Sequence, residues 1–148
     1  MLGTLAKWLR LLGFDTFYAD QKMDDRELIE IAKKEKRIVI TRDKQLFKMV
    51  EKENLQLVKM TSIKLDEQVQ QIIQKSGLNE NTVLSRCSIC NSILREVEKN
   101  DVDGEVPENA FNNNECFWFC PQCKKVYWCG SHWDMMQKKV MKLKKMIE

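Results

Sequence analysis

Two cysteine pairs constrain this chain more than any other feature. Cys87-Ser-Ile-Cys90 and Cys120-Pro-Gln-Cys123 are C-x-x-C loops separated by 29 residues. Two residues between the thiols of a pair let both sulfurs converge on one tetrahedral ion, and two such pairs close a four-sulfur shell. The spacing therefore predicts a structural zinc site that folds a small module rather than catalyses, because a closed all-sulfur shell leaves no open coordination position. Paired disulfides are the competing chemistry, and they suit an oxidising compartment. The sequence speaks against one: no apolar run approaches the ~20 residues of a membrane helix. The first helical stretch, MLGTLAKWLRLLG, carries Lys7 and Arg10 and is followed by no small-residue cleavage site. The expectation is a cytoplasmic protein with no membrane association.

Cys116 and Cys129 are left over. Cys129 and His132 have C-x-x-H spacing, but with four better-spaced ligands at hand both extra cysteines are expected to be reduced thiols on flanking strands. His132, the only histidine, reads as a structural contact rather than a base, since nothing near it in sequence orients it.

Residues 1–78 contain no cysteine, and all six fall between Cys87 and Cys129. That shift divides the chain into an α/β domain at 1–78 and a zinc ribbon with a C-terminal helix at 84–148, joined through GLNENTV (77–83). In the first part Leu2, Leu5, Leu9 and Leu12 recur at helical spacing and Gly13 supplies a left-handed end. DTFYAD (15–20) reads as a short strand. Asp24 and Glu27 form a capping box for a helix with Leu28, Ile31 and Ala32 inward. Ile38–Thr41 reads as a buried strand, Leu46, Phe47 and Val50 as a helix face, and Leu55–Met60 as a further strand. Thr61 or Ser62 caps a helix with Leu65, Val69, Ile72 and Ile73 inward, which closes at Gly77. Helices alternating with short apolar strands imply a parallel sheet flanked by helices, although the chain opens on a helix where a doubly wound sheet opens on a strand. The second part reads as β-rich, with strands in ILREVE (93–98), ECFWFC (115–120) and KKVYWC (124–129). A turn-rich stretch lies between the first two, and a closing helix places Met136, Val140, Leu143 and Ile147 on one face.

Ligand sites of parallel α/β sheets lie beyond the carboxyl ends of the strands. Asp43 follows a predicted strand directly, Asp20 follows the one before it, and Asp24 and Asp25 open the helix between. Carboxylates gathered there can hold Mg²⁺ or Mn²⁺. Aspartates at helix starts are also ordinary caps, so the pattern has two readings. The net charge of +3 does not by itself point to nucleic acid, but Lys138, Lys139, Lys142, Lys144 and Lys145 crowd the C-terminal tail. They can meet phosphates or simply favour a helix C-terminus.

The segments MLGTLAKWLRLLGFDTFY, DDRELIEIA, RIVITRDKQL, SRCSICN, VP and FWFCPQCKKVYWCGSHW, in this order, resemble the Mut-seven C-terminal RNase domain family from Met1 to about residue 136. The resemblance implies a PIN-like nuclease domain followed by a zinc ribbon. It implies acidic site positions at Asp25 and Asp43 with Thr41 and Arg42 beside them, and zinc ligands at Cys87, Cys90, Cys120 and Cys123. Arg86, Trp128, Gly130, Ser131, His132 and Trp133 match further signatures of the family. Members carry a strand and an aspartate of the form FLVD just ahead of MLG; this sequence begins at that methionine, so the expectation is a later start codon or an incomplete metal site.

Two functions follow. The first is a metal-dependent ribonuclease in which Asp25 and Asp43 hold Mg²⁺ or Mn²⁺, Thr41 steadies a carboxylate or water, and Arg42 or Lys44 contacts phosphate. The second is a non-catalytic RNA-binding or protein-binding module built on a degenerate PIN-like domain and ribbon. There Lys124 and Lys125 lie among Phe117, Trp118, Phe119, Tyr127, Trp128 and Trp133, rings that can stack bases or merely fill a small core.

Overall fold

The computed structural model describes residues 2–20, 22–79 and 83–128 together with positions 134, 138, 141, 142 and 145. By contact the chain separates into two compact units, one of Met1–Ala6 with Phe17–Gly77 and one of Lys7–Thr16 with Leu78–Glu148. Helix α1 (Gly3–Leu11) thus gives its first turn to one unit and the remainder to the other. Its apolar spacing buries Leu5, Leu9 and Leu12. It ends where Gly13, at φ 95°, allows the Gly13 N–H to reach Arg10 O and the Phe14 N–H to reach Leu9 O. Those two bonds satisfy carbonyls that a helix end otherwise leaves open.

The first unit is mixed α/β. Helix α2 (Asp25–Glu35) is started by Asp24, whose side chain accepts the Glu27 N–H at 2.8 Å, as the capping-box spacing predicts. Strand β1 (Val39–Thr41) leads through α3 (Lys44–Lys52) to β2 (Leu57–Lys59), which lies parallel to β1 with Ile40 opposite Val58. A parallel pair needs such a crossover. Ile29 and Ala32 of α2, Val39 of β1, and Leu46 and Val50 of α3 form one buried cluster. Burying one such aliphatic side chain stabilises by about 2 kcal/mol. Helix α4 (Leu65–Ser76) buries Val69, Ile72 and Ile73 and stops at Gly77.

The second unit carries an antiparallel sheet in the order β3 (Arg95–Val97), β4 (Phe117–Phe119), β5 (Val126–Trp128), each strand inside a segment that the sequence predicts. Phe117 is fully buried, while Cys87, Leu94 and Cys120 form a second cluster covered by Trp118 and Tyr127. The mixed α/β architecture, a helix-flanked parallel sheet followed by a β-rich cysteine module, is the one expected.

Three local expectations are corrected. Residues 15–20 form no strand. The Thr16 N–H is taken by Asn91 Oδ1 and the Thr16 carbonyl by Arg10 Nε, so that stretch is held by side chains instead of a ladder, with Phe17 and Tyr18 exposed. Neither Thr61 nor Ser62 caps α4; Lys64 stands at that position, and the Ser62 hydroxyl accepts the Lys64 N–H and donates to Glu67. The turn-rich stretch between β3 and β4 contains a 3-10 turn (Lys99–Val102) and helix α5 (Glu108–Asn113), which bury Val102 and Ala110. Of the closing helix, Asp134, Lys138, Met141, Lys142 and Lys145 are helical. Its expected apolar stripe of Met136, Val140, Leu143 and Ile147 lies outside the described residues, as do Cys129 and Gly130 to Trp133.

Candidate functional site

The two cysteine loops are built alike. In the first, Cys87 O accepts the Asn91 N–H and the Cys87 N–H reaches Ser92 O, both at 2.9 Å. In the second, Cys120 O accepts the Lys124 N–H and the Cys120 N–H reaches Lys125 O, again both at 2.9 Å. Each loop turns back through a left-handed residue directly after its second cysteine, Asn91 at φ 72° and Lys124 at φ 60°. That turn aims both sulfurs of a pair to the same side.

The sulfurs of Cys87, Cys90, Cys120 and Cys123 all lie within 4.8 Å of one another, and Cys90 Sγ is 3.4 Å from Cys120 Sγ. A tetrahedron with metal–sulfur bonds of about 2.3 Å has edges of about 3.8 Å. The four thiols are unbridged, and the donor set can hold a metal such as zinc. Burial works against the Cys90 thiolate, but the Ser92 hydroxyl and N–H, followed by the Cys123 and Cys120 thiols, outweigh it and bring Cys90 down to about 6. The hydrogen bond to Cys90, then burial and the charge at Cys87, push Cys123 up to about 12. Burial also pushes Cys120 up. Four sulfurs crowded together resist ionising as a group, and a cation at their centre removes that resistance.

Polar groups around the sulfurs fix them further. The Tyr127 hydroxyl, pushed up to about 12 by burial and then by Cys87, stays protonated; it lies 3.1 Å from Cys87 Sγ and accepts the Ser88 N–H at 3.2 Å. Ser92 Oγ lies 3.2 Å from Cys90 Sγ and donates to Gln122 at 2.9 Å. Such outer groups orient metal ligands. Arg10 reaches the first loop from α1: its Nη1 donates to Ser88 O at 3.1 Å and Ile89 O at 2.9 Å, and its Nε to Thr16 O at 2.9 Å. Arg86 donates to Asn91 O at 2.9 Å. Sequence reasoning found the four ligands but missed Arg10, Tyr127 and Asn91. A lone arginine in an apolar helix stripe was the one available signal.

The acidic positions lie in the first unit. Asp43 follows β1 and caps α3, its Oδ1 accepting the Gln45 N–H at 2.8 Å. Its other oxygen has no protein partner among the described residues. Thr41, 8 % exposed, accepts the Asp43 N–H at 3.1 Å, so the hydroxyl braces the backbone of Asp43 rather than a carboxylate. Asp25 is the first residue of α2, and its carboxylate has no protein partner among the described residues. Asp20 Oδ1 accepts the Lys22 N–H and so closes a local turn. Among the described residues, three or more metal-capable side chains converge at the cysteines and not at these aspartates. Lys44 is exposed and Arg42 half-buried beside them; Lys124 and Lys125 are exposed on the second unit. Cys116 is an exposed free thiol just before β4.

No helix among the described residues is long and apolar enough to cross a membrane. The sequence model of a family described as the Mut7-C RNAse domain matches residues 1–140. No curated protein and no solved structure matches the chain.

Proposed function

This chain belongs to the Mut7-C RNAse domain family, and from that membership we propose that it is a ribonuclease whose acidic site uses Mg²⁺ or Mn²⁺ and whose four cysteines hold a structural zinc ion. The match over residues 1–140 is the observation that carries the reading. Chain direction supports it. Helix α2 joins β1 through residues 36–38, and a helix joined so closely to a strand commonly runs back along it, which favours reading Asp25 together with Asp43.

A cation bound by Asp25 and Asp43 would neutralise a phosphodiester and orient a water. The chain's own groups have separable roles. Asp25 and Asp43 would supply carboxylate oxygens that have no partner among the described residues, Thr41 would hold Asp43 in place through its backbone N–H, and Lys44 or Arg42 would contact phosphate. With two carboxylates, the RNA itself and water complete the coordination, as is usual for Mg²⁺.

The test is cleavage of end-labelled single-stranded and structured RNA with Mn²⁺, wild type beside Asp43→Asn. Asparagine caps a helix as well as aspartate does, so α3 survives while the charge is lost. Cleavage should fall on the order of a hundredfold or more. Equal cleavage by both proteins removes Asp43 from the mechanism. RNA binding without cleavage by the wild type would favour the second reading, a non-catalytic RNA-binding module; the aspartates' failure to form a three-carboxylate group among the described residues is what speaks for it.

A further inference from the structure

Cations and aromatic rings collect at one end of the antiparallel sheet. Arg95 opens β3, Phe119 closes β4 and Val126 opens β5, and the pairing puts the three side by side. Arg95 lies over the Phe119 ring at 5.5 Å and Lys124 over the same ring at 5.8 Å from its centroid. Lys125 lies over the neighbouring Tyr127 ring at 5.0 Å. Among the described residues, none of these three cations is paired with a carboxylate. Elsewhere the chain does pair such groups: Lys99, which also lies over a ring, is held by Glu115.

Two observations separate this cluster from ordinary core packing. Phe117, two residues back on the same strand face, is fully buried, so the core is already filled there, while Phe119 is only half-buried. Lys124 also occupies a left-handed backbone position, φ 60°, where glycine or asparagine sits more easily and where the matching loop has Asn91. Both cations lie over one ring, at 5.5 and 5.8 Å from its centroid, and neither is paired with a carboxylate among the described residues, so an anion arriving there meets two attractive charges. An anion carrying a flat ring satisfies both the cations and Phe119.

We propose that this sheet end binds single-stranded RNA, with a base stacked on Phe119 and flanking phosphates held by Arg95, Lys124 and Lys125. The proposal rests on RNA being the chain's substrate or partner. Single strands are specified because a ring can stack only on a base that is not already stacked in a duplex.

The experiment is fluorescence anisotropy of the metal-loaded full chain with labelled oligouridylate across a salt series. Phe119→Leu should weaken binding roughly tenfold with an unchanged salt dependence, and Phe119→Tyr should restore it. Replacing Arg95 and Lys124 together by glutamine should lower the slope of log affinity against log salt by about 1.4, two phosphate contacts at about 0.7 each. If the wild type binds no RNA, both this site and the RNA reading fall. If it binds and the variants match it at unchanged metal content, this site alone falls. Equal losses on duplex and single-stranded RNA overturn base stacking, and competition by polyglutamate as effective as by RNA overturns the assignment to nucleic acid.

Discussion

Replacing Arg10 by glutamine should loosen the first cysteine loop and destabilise the second unit by about 3 kcal/mol. Arg10 is 9 % exposed, and its guanidinium donates to three carbonyls, those of Thr16, Ser88 and Ile89. Ile89 is 55 % exposed, so its carbonyl regains water when the donor leaves. Thr16 and Ser88 are half-buried, and each carbonyl left without a donor costs about 1–3 kcal/mol. Relief from no longer desolvating a cation offsets part of that sum and leaves about 3 kcal/mol. Native domains are stable by only about 5–15 kcal/mol, so the loss is large. Arg10→Lys keeps the charge but not the fork and should cost about half as much. The assay pairs urea unfolding of the metal-loaded protein with metal release to a coloured chelator. The midpoint should fall and release should speed up, in the order wild type, lysine, glutamine. A glutamine variant within about 0.5 kcal/mol of wild type, with unchanged metal release, would show that the three bonds do not hold the loop and would refute the reasoning.

Stripping the metal with a strong chelator should abolish the near-ultraviolet signal of Trp118 and Tyr127, which cover the cysteine cluster, while α2, α3 and α4 keep their far-ultraviolet helix signal; a ribbon unchanged by metal loss contradicts the structural role. Metal binding needs the four thiols as thiolates, so release to the coloured chelator should speed up as pH falls, and release independent of pH contradicts thiolate ligation.

Short-range chemistry made much of the fold legible. The C-x-x-C spacing located all four sulfurs, Asp24 and Glu27 located the start of α2, and Gly13 and Gly77 located two helix ends, because each acts over three or four residues. The misses share a long-range cause. Residues 15–20 have the apolar character of a strand, yet their shape is decided by Arg10 and by Asn91, 75 residues away from Thr16. The second arm of that contact, Asn91 Nδ2 donating to Asp15 at 2.7 Å, is equally invisible to any local window. Glycine, proline and asparagine between β3 and β4 suggested a loop, but Val102 and Ala110 found apolar cover and turned parts of it helical.

The aspartates of the first unit give the sharpest division between folding and function, because capping accounts for them unequally. Asp24 spends its side chain on the Glu27 N–H, so a structural role accounts for it fully. Asp43 spends one oxygen on the Gln45 N–H, and the other has no protein partner among the described residues. Asp25, beside the cap and not part of it, has no protein partner for its carboxylate among the described residues. Asp24→Ala should lower stability by about 1 kcal/mol and leave cleavage per folded molecule unchanged. Asp25→Asn removes only a favourable helix-dipole charge, worth about 0.3–1 kcal/mol, and should nonetheless abolish Mn²⁺-dependent cleavage. Thermal unfolding and cleavage rates measured on both variants separate the two effects. If activity instead follows stability, falling more for Asp24→Ala than for Asp25→Asn, the carboxylate at position 25 is only a helix-start charge, and the acidic site must be sought elsewhere.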